Sequence, residues 1–384
     1  IPAGDLLPLA LTWQTDTPLA SNYQLSLRLI NNFGDIFTQN DWPPLAAMGS
    51  ASTWPPNQPI PDRRSLWLPP DVPPGNYLLQ LVVYDPPTGQ PLGQPVTLPN
   101  ITIEAALITP PPETLSIPNF TLTPKLKTQN LKLIGYAYPP EIQPGQELWL
   151  WLYWQAQTAP TPDTTLRITL TGNGESMSSE FRLVDAAGPL DSWQAGQVRR
   201  AVYHLPTSPR LAGEAAEITI GLITPGENVE TSIGQVVLKS RPRQFEKPAI
   251  ARPTDIAFDS PPLLKLIGFD GPANSLQPGD SLPVTLYWQA ETEMETNYTV
   301  FVQLLNEANQ VVAQVDAQPQ AGTAPTTTWL SGEILTDLYT LALPTGLPPG
   351  DYRLITGLYN AANGQRLPAS SGGDFVGLGE ITVK

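Results

Sequence analysis

The chain has no cysteine and a single histidine, His204, among its 384 residues. Without thiols it forms no disulfide, no thiolate metal site and no cysteine nucleophile. One imidazole leaves a single opportunity for a Ser-His-Asp arrangement, which needs hydroxyl, imidazole and carboxylate together. No Gly-x-Ser-x-Gly elbow accompanies it. In the stretch "AVYHLP" His204 reads as a half-exposed strand residue. Charge is scarce as well: 14% of residues are Asp, Glu, Lys or Arg, against about 25% in ordinary domains. The balance is acidic, −15 net, and no basic stripe occurs. Nucleic acid and anionic membrane surfaces are therefore not expected partners. No apolar run reaches the roughly 18 residues of a membrane span, and no secretory leader opens the sequence. No calcium-loop spacing and no cofactor motif is present, so neither metal nor cofactor is expected.

What is present is proline, glycine and short apolar runs. The 46 Pro and 29 Gly make roughly a fifth of the chain, below the share that marks disorder. A 41% apolar fraction is ample for real cores. The length points to two or three domains, and the sequence repeats itself. "GDLLPLALTWQTDTPLASNY" from Gly4 and "GDSLPVTLYWQAETEMETNY" from Gly279 align without gaps, and Trp54, Asp62, Gly75, Tyr84 and Gly89 recur at the same offset as Trp329, Asp337, Gly350, Tyr359 and Gly364. A more diverged copy lies between them: "PGQELWLWLYWQA" keeps the Gly145-to-Trp154 spacing, and Trp193 answers to Trp54. "LKLIGYAY" (131–138) and "LKLIGFDG" (264–271) lead the second and third copies; the first copy has no such strand. Its opening, "IPAGDLLPLALTWQ", reads as the interior of a domain and leads us to expect a trimmed or processed piece of a longer chain.

The third copy divides into seven short runs rich in Val, Ile, Leu, Tyr and Thr, separated by Pro, Gly, Asn and Asp. That is the strand count of an immunoglobulin-like sandwich. "VPPGNY" and "LPPGDY" place Tyr77 and Tyr352 where a tyrosine corner would tie the chain back on itself. The expected architecture is all-β: three tandem immunoglobulin-like β-sandwiches joined by Pro-rich linkers. Residues 1–104 form a sandwich lacking its first strand, 131–240 a diverged sandwich and 263–384 a third, with linkers at 105–130 and 241–262. Each linker carries a net +1 in an acidic chain, and "PPP" at 110–112 is expected to be stiff and extended. Phe245 and Phe258 imply that the second linker packs on a neighbour.

The pattern "LIG…PG(D/Q)…L(Y/T)WQA…NY…W…PPG(D/N)Y…(L/V)Y…G…L" resembles extracytoplasmic sandwich repeats carried after the membrane region of bacterial protein-mannosyltransferase-like and aminoarabinose-transferase-like glycosyltransferases, and in related bacterial surface proteins. The resemblance implies an extracytoplasmic, cell-surface location. It transfers no catalytic residue, because that family's catalytic acids lie in membrane loops that nothing in this chain matches.

Strand parity sorts the aromatic residues. Trp13, Trp154 and Trp288 share the apolar face of their strands and are expected in the cores. By the same parity Trp149, Trp151 and Tyr153 point outward, whereas the first copy has Pro8, Ala10 and Thr12 there and the third has Pro283, Thr285 and Tyr287. This strip, peculiar to the middle copy, has three open readings: a contact with protein, a glycan platform, or cross-strand packing. Acids also recur, Asp41, Glu180 and Asp316 at one position and Asp62 and Asp337 at another, and are expected to cap turns rather than cleave glycosides. The sequons at Asn100, Asn119 and Asn297 read as accidental. The functional expectation is a non-catalytic spacer or interaction module, with a carbohydrate-binding module as the alternative. Protein partners or self-association are expected, including donation of a strand to the first sandwich.

Overall fold

The structure, a computed structural model, describes residues 1–43, 50–121, 126–271 and 275–384, with the backbone alone for Pro99. Among these residues each repeat folds as two sheets closed over a core of its own. Strand alternation builds the cores. In "SLPVTLYWQA" the residues Leu282, Val284, Leu286 and Trp288 are buried while Ser281 and Pro283 face out, as a period of two requires.

The first repeat forms β1 (Leu6–Trp13), β2 (Gln24–Ile30), β3 (Ile36–Trp42), β4 (Ile60–Trp67), β5 (Gly75–Tyr84) and β6 (Val96–Ile103). β1 pairs only with β4, and this layer faces a sheet in the order β3–β2–β5–β6. The second repeat forms β7 (Leu131–Ala137), β8 (Glu141–Ile142), β9 (Glu147–Ala156), β10 (Thr165–Gly172), β11 (Glu175–Arg182), the one-turn helix α1 (Leu183–Ala187), β12 (Val198–Pro206), β13 (Ala215–Thr224) and β14 (Glu227–Leu238). Its sheets run β12–β9–β7 and β11–β10–β13–β14–β8. The third repeat forms β15 (Arg252–Phe258), β16 (Leu264–Asp270), β17 (Ser275–Leu276), β18 (Ser281–Ala290), β19 (Tyr298–Leu305), β20 (Val311–Ala317), β21 (Ile334–Ala342), β22 (Gly350–Asn360), β23 (Gln365–Arg366) and β24 (Val376–Val383). Here the sheets run β15–β16–β18–β21 and β17–β24–β22–β19–β20, with β23 on β22. The chain is thus three tandem immunoglobulin-like sandwiches. Gly4, Gly145 and Gly279 introduce equivalent strands with φ of +92°, +92° and +87°, a left-handed turn that glycine adopts without strain.

Several expectations need correction. Trp154 and Trp288 are fully enclosed (0% exposed), but Trp13 is only part-buried. β7 and β16 cover the flanks of β9 and β18, and no described strand does the same for β1. Trp13 instead leans on Trp54, ring centroids 6.4 Å apart, and donates its indole N–H to Asp62 at 3.0 Å.

The linkers are not free spacers. Leu126 lies in the second core, and Ile117 to Thr121 run beside β7, with the Tyr136 and Thr121 amides donating to Pro118 and Ile134. Gly135 permits this approach, since a Cβ there would meet the Ile117 side chain at 2.1 Å. Pro112–Thr114 is a 3₁₀ turn, so the proline run does not stay extended. In the second linker β15 pairs with β16 and Phe258 is buried, so the third sandwich begins before residue 263; Phe245 stays exposed.

The recurrent acids sit on strands, from which Asp337 caps the 3₁₀ turn Pro319–Gly322 through the Gln320 amide. Asp337, buried on β21, accepts from the Tyr339 hydroxyl at 2.6 Å and the Gln320 amide at 2.8 Å. Burial pushes its carboxyl above the ordinary range. Asp316 accepts from Tyr359, and Glu180 pairs with Arg167. Tyr77 and Tyr352 donate to the carbonyls of Pro73 and Pro348, each at 2.8 Å and four residues back. That is the hydrogen bond of a tyrosine corner.

Candidate functional site at the sandwich junctions

β9 presents alternate faces to two surroundings. Leu148, Leu150, Leu152 and Trp154 enter the second core. Of the outward rings, Trp149 is 40% exposed, Trp151 is part-buried and Tyr153 is 6% exposed. They do not make an open strip, because different neighbours cover them. Tyr153 packs with Ile117, Ile134 and Val198, beside Leu115 and Phe120 of the first linker, and burial raises its phenol pKa.

Trp151 meets the first sandwich. Its ring stands edge-on to Phe37 of β3, centroids 5.2 Å apart at 80°, and Val202 of β12 joins the first core. The Arg200 guanidinium lies 5.2 Å from the Phe37 ring and 5.3 Å from the Trp151 ring. It also donates to the Phe37 carbonyl at 2.5 Å and pairs with Asp71 at 3.3 Å, while the Arg200 amide donates to the Asp71 carbonyl. A cation set beside two rings and held by a carboxylate is anchored in both charge and geometry.

His204 forms the second part of this junction. Its Nε2 lies 2.8 and 3.0 Å from the Asp35 carboxylate of the first sandwich, and its Nδ1 lies 2.7 Å from Glu147 of the second. Those contacts, Asp35 first, raise the imidazole pKa to about 9 against the opposing effect of burial. With both nitrogens engaged by carboxylates, the ring is an imidazolium clamp, and neither nitrogen is free to accept a proton from a nucleophile. A cleft of about 760 Å³ opens beside it, bordered by Phe33, Tyr77, Phe181 and Asp185. Among the described residues, no group of three or more His, Asp or Glu side chains is arranged to hold a metal ion. Gly188 lies against the same junction, where a Cβ would stand 2.5 Å from the Pro74 carbonyl.

The second junction turns on Glu333, whose side chain is 0% exposed. Arg241 and Arg243 of the second linker reach its two carboxylate oxygens at 2.5 and 2.6 Å. Arg243 also donates to the carbonyls of Thr328 in the third sandwich and Pro209 in the second, at 2.9 and 3.0 Å. The Ile334 amide donates to the Gln244 carbonyl. Burial lowers the Arg241 pKa. Arg210 pairs with Glu293 across the same junction at 2.5 Å. At Gly145 a Cβ would meet the Thr327 carbonyl at 2.4 Å.

Sequence reasoning picked out Trp151 and Tyr153 but missed Arg200, His204 as a bridge, and the Glu333 cluster. The net positive charge of the second linker, carried partly by "RPR" (241–243), was the available signal for Glu333.

No protein-family model and no curated protein matches the chain. Among solved structures, "Escherichia coli alpha-2-macroglobulin activated by porcine elastase" aligns over 100% of this chain and 32% of its own, at 11% identity and a TM-score of 0.21. The chain spans about a third of that protein, and a superposition so loose carries no argument about fold or function. No helix among the described residues is long and apolar enough to cross a membrane.

Proposed function

We infer that the chain is a non-catalytic, extracytoplasmic spacer that holds three sandwiches in fixed relation and offers its outer surface to protein partners. It would serve as the soluble tail of a membrane glycosyltransferase or as a subunit of a bacterial surface assembly. The observation that carries this reading is that charged clusters close both junctions. Arg200 and His204 tie the second sandwich to the first, and Glu333 ties the third to the linker before it. Exposed ion pairs contribute little; the enclosed Glu333 pairs and the part-buried His204–Asp35 and Arg200–Asp71 pairs are hydrogen-bonded across elements and favour one relative geometry. The sole histidine, spent on a clamp, leaves little for turnover.

Two of the three outward rings on β9 are engaged by protein, which weighs against a glycan platform. Small-angle scattering and spin-label distances between the first and third sandwiches test the proposal. A single narrow distance distribution is expected. A broad one, unchanged by breaking either cluster, would sink it. Glycan-array binding abolished by Trp149→Ala would favour the lectin reading instead.

A further inference from the structure

The cleft of about 760 Å³ beside His204 takes one wall from each sandwich. The turn at 31–35 and the corner at 73–77 border it on one side; β11, α1 and β12 border it on the other. Its size falls within the roughly 300–1,000 Å³ of ligand clefts. Phe33 stands on its border with 83% of its surface exposed. The turn beneath that ring is pinned. The Asn31 side chain accepts from the Phe33 and Asp35 amides, each at 2.9 Å, and donates to the Asp35 carboxylate at 2.8 Å. In the third repeat Asn306 braces the equivalent turn by accepting from the Gln310 amide at 2.9 Å, and Ala308 occupies the place of Phe33. The fold therefore does not require the ring. It is nonetheless held beside the His204 imidazole, centroids 6.1 Å apart. A large apolar side chain fixed in water at a cleft of ligand size marks a contact surface.

The polar groups narrow the chemistry. Arg182 and Asp185, on the opposite wall, are exposed and make no ion pair and no side-chain hydrogen bond among the described residues. Glu180 engages Arg167 through Oε1 alone, and Glu147 engages His204 through Oε2 alone, so each keeps one oxygen unused. Charge nearly cancels: four carboxylates (Asp35, Glu147, Glu180, Asp185) stand against three cations (Arg167, Arg182, His204). Little excess remains to select an ion. A hydroxyl both donates and accepts, so a ligand rich in hydroxyls matches carboxylates and a guanidinium set side by side. We propose that this cleft binds a short neutral oligosaccharide, with Phe33 against a sugar face and Glu180, Arg182 and Asp185 bonded to hydroxyls. The site rests on the fixed relation of the first two sandwiches, because both supply its walls. It is separate from the β9 strip, none of whose rings lines the cleft.

The test is calorimetry and saturation-transfer NMR on the full chain with cellotriose, maltotriose and mannotriose. At least one should bind with a Kd below about 1 mM. Phe33→Ala should weaken it about tenfold or more, while Phe33→Trp should keep it. Arg182→Gln and Asp185→Asn should each weaken it, and Trp149→Ala should leave it unchanged. All of these side chains are exposed, and unaltered melting of each variant shows that a loss is not unfolding. Silence from all three trisaccharides overturns the proposal. So does binding indifferent to Phe33→Ala, or tighter capture of trigalacturonate or trilysine, for then the cleft selects charge. Spin-label distances on the same samples keep this proposal apart from the spacer reading. No binding with a narrow distribution overturns the cleft alone, whereas a broad distribution removes the spacer reading and the cleft with it.

Discussion

His204 of the second sandwich stands with its Nε2 2.8 Å from Asp35 of the first, across 169 residues of sequence. Its other nitrogen meets Glu147 at 2.7 Å. A neutral imidazole has one N–H and can donate to only one carboxylate; the protonated ring donates to both. The contact is therefore a cross-link whose strength depends on a proton.

Its pH dependence follows. A solvated imidazole has a pKa of about 6.5, and here it is raised to about 9. A raised folded-state value means that the stabilisation is complete below about 6.5 and is lost as the pH climbs through about 9. The size is at most roughly 3 kcal/mol, reduced by the partial exposure of the ring. The distance between labels on the first and second sandwiches should broaden as the pH rises through this window. His204→Gln should be broad throughout and insensitive to pH.

Trp151→Ala should loosen the same junction at every pH. It removes the edge-on contact with Phe37 and one of the two rings beside Arg200. A fully buried Trp→Ala change costs about 3–5 kcal/mol; this part-buried ring should cost about 2–3 kcal/mol. Trp149→Ala, two residues away but 40% exposed, should shift stability by no more than about 0.5 kcal/mol. Denaturant titration followed in the first sandwich distinguishes them.

The residues that sequence reading placed well are those whose burial depends on their own strand. Leu282, Val284, Leu286 and Trp288 alternate in the sequence and in the fold. Trp13 was misjudged because its parity is right but its cover belongs to a neighbouring strand, and parity carries no information about neighbours. Tyr153 and Trp151 were legible as outward; what covers them was not, since Ile117 and Phe37 meet them only through tertiary packing. The His204 clamp left no local trace, because Asp35 comes from a different repeat. Asp62 and Asp337 were visible as recurrent acids, but only the structure places them on strands, accepting from Trp13 and Tyr339.

Tyr352→Phe keeps the ring packing and deletes one hydrogen bond, to the Pro348 carbonyl at 2.8 Å. The net cost of such a bond is about 1 kcal/mol. The third sandwich should unfold at correspondingly lower denaturant with an unchanged slope, and its junction with the second should be unaffected. A change in the interdomain distance would argue against a purely local role for the corner.

Glu333 carries the sharpest test of the second junction. Its enclosed carboxylate faces two guanidinium groups, Arg241 and Arg243. Glu333→Gln leaves those two cations beside each other without a counter-charge, and breaking a buried pair from one side costs about 3–5 kcal/mol. The third sandwich should lose about that much stability, and the linker amides near Gln244 should exchange faster. Replacing all three groups together, with Glu333→Leu, Arg241→Met and Arg243→Met, removes the charges along with their desolvation cost. That variant should regain most of the stability. It should not regain the fixed interdomain distance, because Arg243 also bridges Thr328 and Pro209. If the triple variant holds the two sandwiches as rigidly as the parent chain, apolar packing alone sets the junction and the cluster is dispensable.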